Sequence, residues 1–96
     1  MKVLLIINLP PMLEEDLVDY LLSLDFVIGF TSYGVQGHGE HERLSVAEQV
    51  TGRRKRMQFE MLIDLSDYEQ ITAGLATAVG KDITYWQMPV QHIGRT

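Results

Sequence analysis

Cysteine does not occur in this chain of 96 residues. Its absence removes disulfides, thiolate metal sites and cysteine nucleophiles together. Long apolar runs are missing as well. The N-terminal stretch "MKVLLIINLPPMLEED" holds an apolar run of only five residues, Val3–Ile7, and acids follow it. A membrane-spanning helix needs about 20 apolar residues, and a secretory signal ends on small residues rather than acids. The expectation is therefore a cytoplasmic protein with no membrane insertion. Positive charge is also in deficit: the formal net charge is -5, which argues against broad affinity for nucleic acid or anionic membranes. No G-x-x-x-x-G-K-[ST] loop, nucleophile elbow, Cys–His pair or acid–base pair at a meaningful spacing occurs. What the chain does have is an ordinary hydrophobic content of 46%. Its length suits a single domain, residues 1–96, that removes about 60–65% of its unfolded surface from water.

Four apolar segments alternate with two helical patterns. "KVLLIINL" (Lys2–Leu9) is rich in β-branched residues and stops at Pro10-Pro11, the pattern of a strand. From Met12 to Leu24, Leu13, Leu17, Tyr20, Leu21 and Leu24 recur at helical spacing. Glu14, Glu15 and Asp16 stand in the first turn of that helix, where its dipole favours acids. A second strand is expected over Phe26–Val35, with Phe26, Ile28 and Phe30 on one face. A third is expected over Lys55–Leu65, with Met57, Phe59, Met61 and Ile63 facing one way and Gln58 and Glu60 the other. "SDYE" (Ser66–Glu69) has the pattern of a capping box. It would open a helix whose apolar stripe is Tyr68, Ile71, Leu75 and Val79, stopped by Gly80. The last strand is expected over Asp82–Val90, followed by the short tail "QHIGRT". The order β-α-β-β-α-β predicts an α+β, ferredoxin-like fold: an antiparallel sheet with two helices on one face. The first strand is apolar on both faces, and the fourth alternates Ile83 and Tyr85 with Trp86 and Met88. Two helices cover only one face of a sheet, so the other predicts an oligomer interface. The alternative is that the tail folds over it.

The chemistry concentrates in a long loop, about residues 35–55, between the second and third strands. Four readings compete there. "HGEHE" supplies His38, Glu40, His41 and Glu42, nitrogen and oxygen ligands suited to a divalent transition metal. His92 is a further ligand type that nothing in the sequence places beside them. "RRKR", Arg53 to Arg56, suits bidentate contacts to phosphate or carboxylate. If strand pairing begins near Lys55, alternate members of this run point to opposite faces and cannot form one patch. Such a run also serves as a solvated, charged edge. Nucleic-acid binding would use the arginines with Tyr33, Phe59 and Trp86 as stacking surfaces, but "GRRKRMQF" lacks the outward aromatics of an RNA-binding sheet. Catalysis would need a pocket built from Tyr20, Tyr68 or Tyr85, and those tyrosines stand at core spacing.

This layout resembles the PII-like signal-transduction proteins, whose type is the nitrogen regulatory protein PII. More narrowly, "GFTSYGVQGHGEHERLSVAEQVTGRRKRMQFEMLI" (Gly29–Ile63) looks like a small proteobacterial PII-like branch of unknown function. The "GHG…LSVAEQVTGRRKR-x-x-FE" segment is the most specific part, and "LLIINLPPMLEEDLVDYLL" extends the similarity over nearly the whole chain. The resemblance implies a homotrimer with its sheets facing inward. It also implies that the central loop corresponds to the T-loop, which docks on partner proteins such as transporters and reports the effector held between subunits. The narrower branch is associated with heavy-metal efflux systems. Two departures matter. Nucleotide-binding PII proteins carry a segment like "TGxxGDGKIF", whereas here "AVGKDITYW" retains Gly80 and Lys81 in a loop too short to wrap a triphosphate. The modifiable-tyrosine context "RGxEYxV" is absent, so no modification of Tyr33 is implied. A cleft bounded by Arg53, Arg54, Arg56 and Lys81 would take a smaller anion.

The function expected is that of a non-enzymatic regulatory or sensor protein, which binds a small effector or a metal ion and docks on a partner through its loop. A metal-binding accessory protein of an efflux system and a small ferredoxin-like enzyme are the alternatives.

Overall fold

The structure, a computed structural model, describes residues 1–39 and 53–96. Four strands, β1 (Lys2–Leu9), β2 (Thr31–His38), β3 (Arg53–Asp64) and β4 (Thr84–Pro89), form one sheet in the order β2-β3-β1-β4. Every neighbouring pair is antiparallel. Helix α1 (Glu14–Leu22) joins β1 to β2, and α2 (Tyr68–Ala73) with α3 (Leu75–Ala78) joins β3 to β4. This is the expected ferredoxin-like α+β plan.

The core follows from the pleat. Side chains two apart on a strand share a face. Val3, Leu5, Ile7 and Leu9 of β1 therefore point with Phe59, Met61 and Ile63 of β3 toward the helices. Leu17 and Leu21 of α1, Ile71 of α2, Leu75 of α3 and Val79 close this layer, all buried. Burying a large aliphatic or aromatic side chain stabilises by roughly 1.5–3 kcal/mol, so this one layer supplies most of the driving force for folding.

Three local expectations are corrected. Phe26–Phe30 is not strand: β2 begins at Thr31 and runs on to His38. Phe26, Val27 and Phe30 pack on the core from a connector, while Ile28 is 92% exposed, so Phe26, Ile28 and Phe30 share no face. Phe30 sits 5.8 Å from Phe59, ring centre to ring centre. Ser66 makes no capping hydrogen bond. Leu65–Asp67 forms a 3-10 turn that leads into α2 without a side-chain cap at Asp67. The second helical stretch is broken at Gly74, where the Tyr20 hydroxyl of α1 enters and donates to the Ile71 carbonyl at 2.8 Å. Gly80, with φ 154°, does stop that stretch. The strands also start and stop differently: β3 begins two residues earlier than expected, at Arg53, and β4 is shorter, Thr84–Pro89.

The sheet face away from the helices has two halves. Toward the N-terminal end of β1 it is apolar: Leu4, the buried Ile6, Leu62, Trp86 and Met88. Leu62 and Met88 are each 44% exposed and Trp86 37%. The C-terminal tail meets this half only at Ile93, which lines a groove of about 520 Å³ with Leu4, Phe30 and Leu62 and leaves Trp86 and Met88 exposed. Toward the C-terminal end of β1 the face turns polar, and there the candidate site lies. Among the described residues, no helix is long and apolar enough to cross a membrane.

Candidate functional site

Alternation along β3 divides its basic run. Arg54 and Arg56 fall on the open face with Gln58, Glu60 and Leu62, whereas Arg53 and Lys55 point the other way. Arg54 and Arg56 are buried, and Arg53 and Lys55 are exposed. The split follows from the two-residue period of the strand, as the sequence predicts.

Burying a guanidinium is costly unless charge and hydrogen bonds compensate it. Asp82 provides the compensation. Its carboxylate contacts Arg54 and lies 3.1 Å from the Arg56 Nη1. Arg56 also donates from Nη2 to the Asp82 carbonyl at 2.8 Å and the Asn8 carbonyl at 3.1 Å, and from Nε to the Asn8 Oδ1 at 2.6 Å. Four bonds thus fix the plane of this guanidinium. β1 supplies Asn8, β3 supplies both arginines, and the turn before β4 supplies Asp82, so the cluster exists only because β1 pairs with both neighbours.

From Asn8 the network continues across the sheet in one direction. The Asn8 Nδ2 donates to the Gln58 Oε1 at 3.1 Å, the Gln58 Nε2 donates to the Tyr33 Oη at 3.1 Å, and Tyr33 donates to Glu60 at 2.8 Å. A cation heads this chain and a carboxylate ends it, an order in which each bond polarises the next. The hydrogen bond to Glu60 is the main reason the Tyr33 phenol is pushed above its ordinary range.

Beside the arginines lies a cleft of about 210 Å³, walled by Asn8, Gln36, His38, Arg54, Arg56 and Thr84. It opens where β2 ends and β3 begins, beside the two ends of the segment 40–52. The predicted anion residues are therefore only partly brought together. Arg54 and Arg56 line the cleft; Arg53 is exposed and bonds Gln36 at 3.2 Å; Lys81 is exposed and does not line it. Of the predicted metal ligands, His38 lines the cleft, while Glu40, His41 and Glu42 lie outside the described residues. Among the described residues no three His, Asp or Glu side chains come together as a metal site, and His92 is exposed in the tail. Asn8, Gln58 and Asp82 are site residues the sequence reading missed. Asp82 carries a signal in retrospect, an acid directly after Gly80-Lys81 where a strand is about to start.

The tyrosines weighed for catalysis are engaged in packing. Burial pushes the Tyr20 and Tyr68 phenols up, against a backbone hydrogen bond from Gly74 that pulls Tyr20 down. Tyr68 meets Tyr85 edge-on at 6.3 Å. A phenol raised above about 10 is neutral at physiological pH and a poor base. Phe59, a stacking surface in the nucleic-acid reading, is fully buried on the helix side.

Solved structures share this architecture. A DUF3240 family protein from Shewanella baltica OS155 aligns over 99% of this chain and 96% of its own, with a TM-score of 0.80 and 23% identity. The periplasmic divalent cation tolerance protein CutA from Archaeoglobus fulgidus aligns over 99% of this chain and 89% of its own, with a TM-score of 0.77 and 8% identity. At these identities the likeness is one of fold, the PII-like form of the ferredoxin-like plan. No curated protein matches the sequence. The model of the DUF3240 family, proteins of unknown function, matches residues 1–96, and the chain belongs to that family.

Proposed function

We propose that this protein is a non-enzymatic regulatory or sensor protein that binds a small anion in the cleft of Arg54 and Arg56 and docks on a partner protein through its central loop. The observation that carries the reading is the pair of buried arginines at the foot of that loop. Two guanidiniums, their side chains 10% and 5% exposed, converge beside an open cleft lined by hydrogen-bonding groups. Planar, fixed guanidiniums are suited to phosphate or carboxylate. An anion seated there lies within reach of His38, where β2 gives way to Gly39 at φ 95° and the loop departs. Occupancy would therefore be felt at the loop's root.

The apolar half of the open face supports assembly. Leu62, Trp86 and Met88 are each more than a third exposed beside buried Ile6, a contiguous patch of the kind that protein partners cover. A homotrimer with its sheets inward is the assembly proposed.

A second reading, metal binding in support of efflux, is favoured by the position of His38 on the cleft wall. The fold likeness to CutA, a protein named for divalent cation tolerance, points the same way. One experiment separates the two. Inorganic phosphate and zinc are each titrated into the full chain by calorimetry, with Arg54→Gln and His38→Ala alongside. The anion reading expects phosphate binding that falls at least tenfold in Arg54→Gln and survives in His38→Ala. Zinc binding lost in His38→Ala, with no phosphate binding by the native chain, would instead establish the metal reading.

A further inference from the structure

Asp82 does not wall the cleft, but its carboxylate engages the two arginines that do. Its carboxylate faces both Arg54 and Arg56, the contact a ligand phosphate or carboxylate would make. We infer that Asp82 is a built-in competitor for this site, and that an anion binds by displacing its carboxylate and releasing the turn that carries it. The inference rests on the anion reading above and adds how the site is regulated.

Three observations support it. First, the backbone is bent to deliver the carboxylate. Asp82 has φ 64°, the left-handed region, which residues with a side chain adopt uncommonly and Asp more readily than most. Arg56 binds both the Asp82 carboxylate and the Asp82 carbonyl in this conformation, and Arg54 also contacts the carboxylate. A ligand that takes over the guanidinium removes the contacts that stabilise the bend, so relaxation of the turn favours displacement.

Second, the positions differ in access. The Asp82 side chain is 35% exposed, against 10% and 5% for Arg54 and Arg56. The competitor is the more solvated member of the cluster, and its departure into water would open the guanidiniums to a ligand.

Third, displacement has somewhere to go. Asp82 lies two residues before Thr84, which opens β4, lines the cleft and pairs with Asn8. Asn8 in turn starts the hydrogen-bond chain that ends at Glu60. Freeing the turn would therefore move the start of an edge strand on the open face. It would also shift the partner of Arg56 from Asp82 to the ligand while the Asn8 bonds persist.

The test is an inorganic phosphate titration of the full chain, native and Asp82→Asn, followed by amide chemical shifts. Asparagine keeps the shape and tolerates the left-handed backbone, and it removes the charge and one acceptor oxygen. The expected result is at least tenfold tighter phosphate binding in Asp82→Asn. If the native chain binds phosphate and Asp82→Asn binds it no more tightly, the competitor role is overturned and the anion site stands. If neither chain binds phosphate, both fall. Should Asp82→Asn not fold, the native chain decides alone. Saturating phosphate should shift the amides of Lys81, Asp82 and Ile83, and shifts confined to Arg54, Arg56 and Gln58 would overturn the displacement.

Discussion

Among single residues, Tyr20 ties α1 to the second helical stretch through its hydroxyl, although a tyrosine there invites a catalytic reading. Its hydroxyl reaches from α1 to the Ile71 carbonyl, and burial pushes its pKa up. A phenol raised on folding contributes stability that is fully present below its unfolded value of about 10 and is lost as pH rises through the folded one. Tyr20→Phe should lower stability by about 1 kcal/mol at neutral pH. In alkaline denaturation series above about pH 10 the gap between the two proteins should narrow. A Tyr20→Phe melting point equal to the native one would mean the bond contributes nothing. Residue identity alone made the split of Arg53–Arg56 legible, since alternation in a strand requires no tertiary knowledge. Asp82 was illegible for the opposite reason. It meets Arg54 and Arg56 only because β4 is laid beside β1, and no local pattern carries that pairing.

At the scale of elements, the join of α2 and α3 shows how a helix can be sacrificed to a neighbour. The stripe Tyr68, Ile71, Leu75 and Val79 predicts one helix, and the stripe is indeed buried or packed on the core. The helix nevertheless breaks at Gly74, because the Tyr20 hydroxyl needs the space. A Cβ there would fall upon that hydroxyl and within 2.9 Å of the Tyr20 Cζ. Gly74→Ala should therefore destabilise by about 1–3 kcal/mol, as overpacking does, although alanine is otherwise the better helix former by about 1 kcal/mol. The cost should shrink in the Tyr20→Phe background, and denaturant melts of the four proteins would reveal that coupling. Additive effects would exclude the proposed contact. The elements that periodicity foretold were those whose pattern faces a core: β1, α1 and β3. It misplaced β2 because Phe26–Phe30 is apolar without being laddered. Those residues pack on the core from a connector, and composition cannot distinguish that from a strand.

For the whole molecule, the open sheet face carries both features on which the proposed function rests. One half is an apolar patch around Trp86, and the other holds the arginine cleft. The excess of apolar residues on both sides of β1 made the patch legible in the sequence. The cleft was only half legible, because its walls come from four strands and its counter-charge from a turn. Native mass spectrometry of the untagged chain in the presence of inorganic phosphate tests the two together, with Arg54→Gln as the control. The expected result is a trimer that carries phosphate adducts, and a trimer of Arg54→Gln that has lost them. A monomer, or a trimer whose adducts are unchanged in Arg54→Gln, would contradict it.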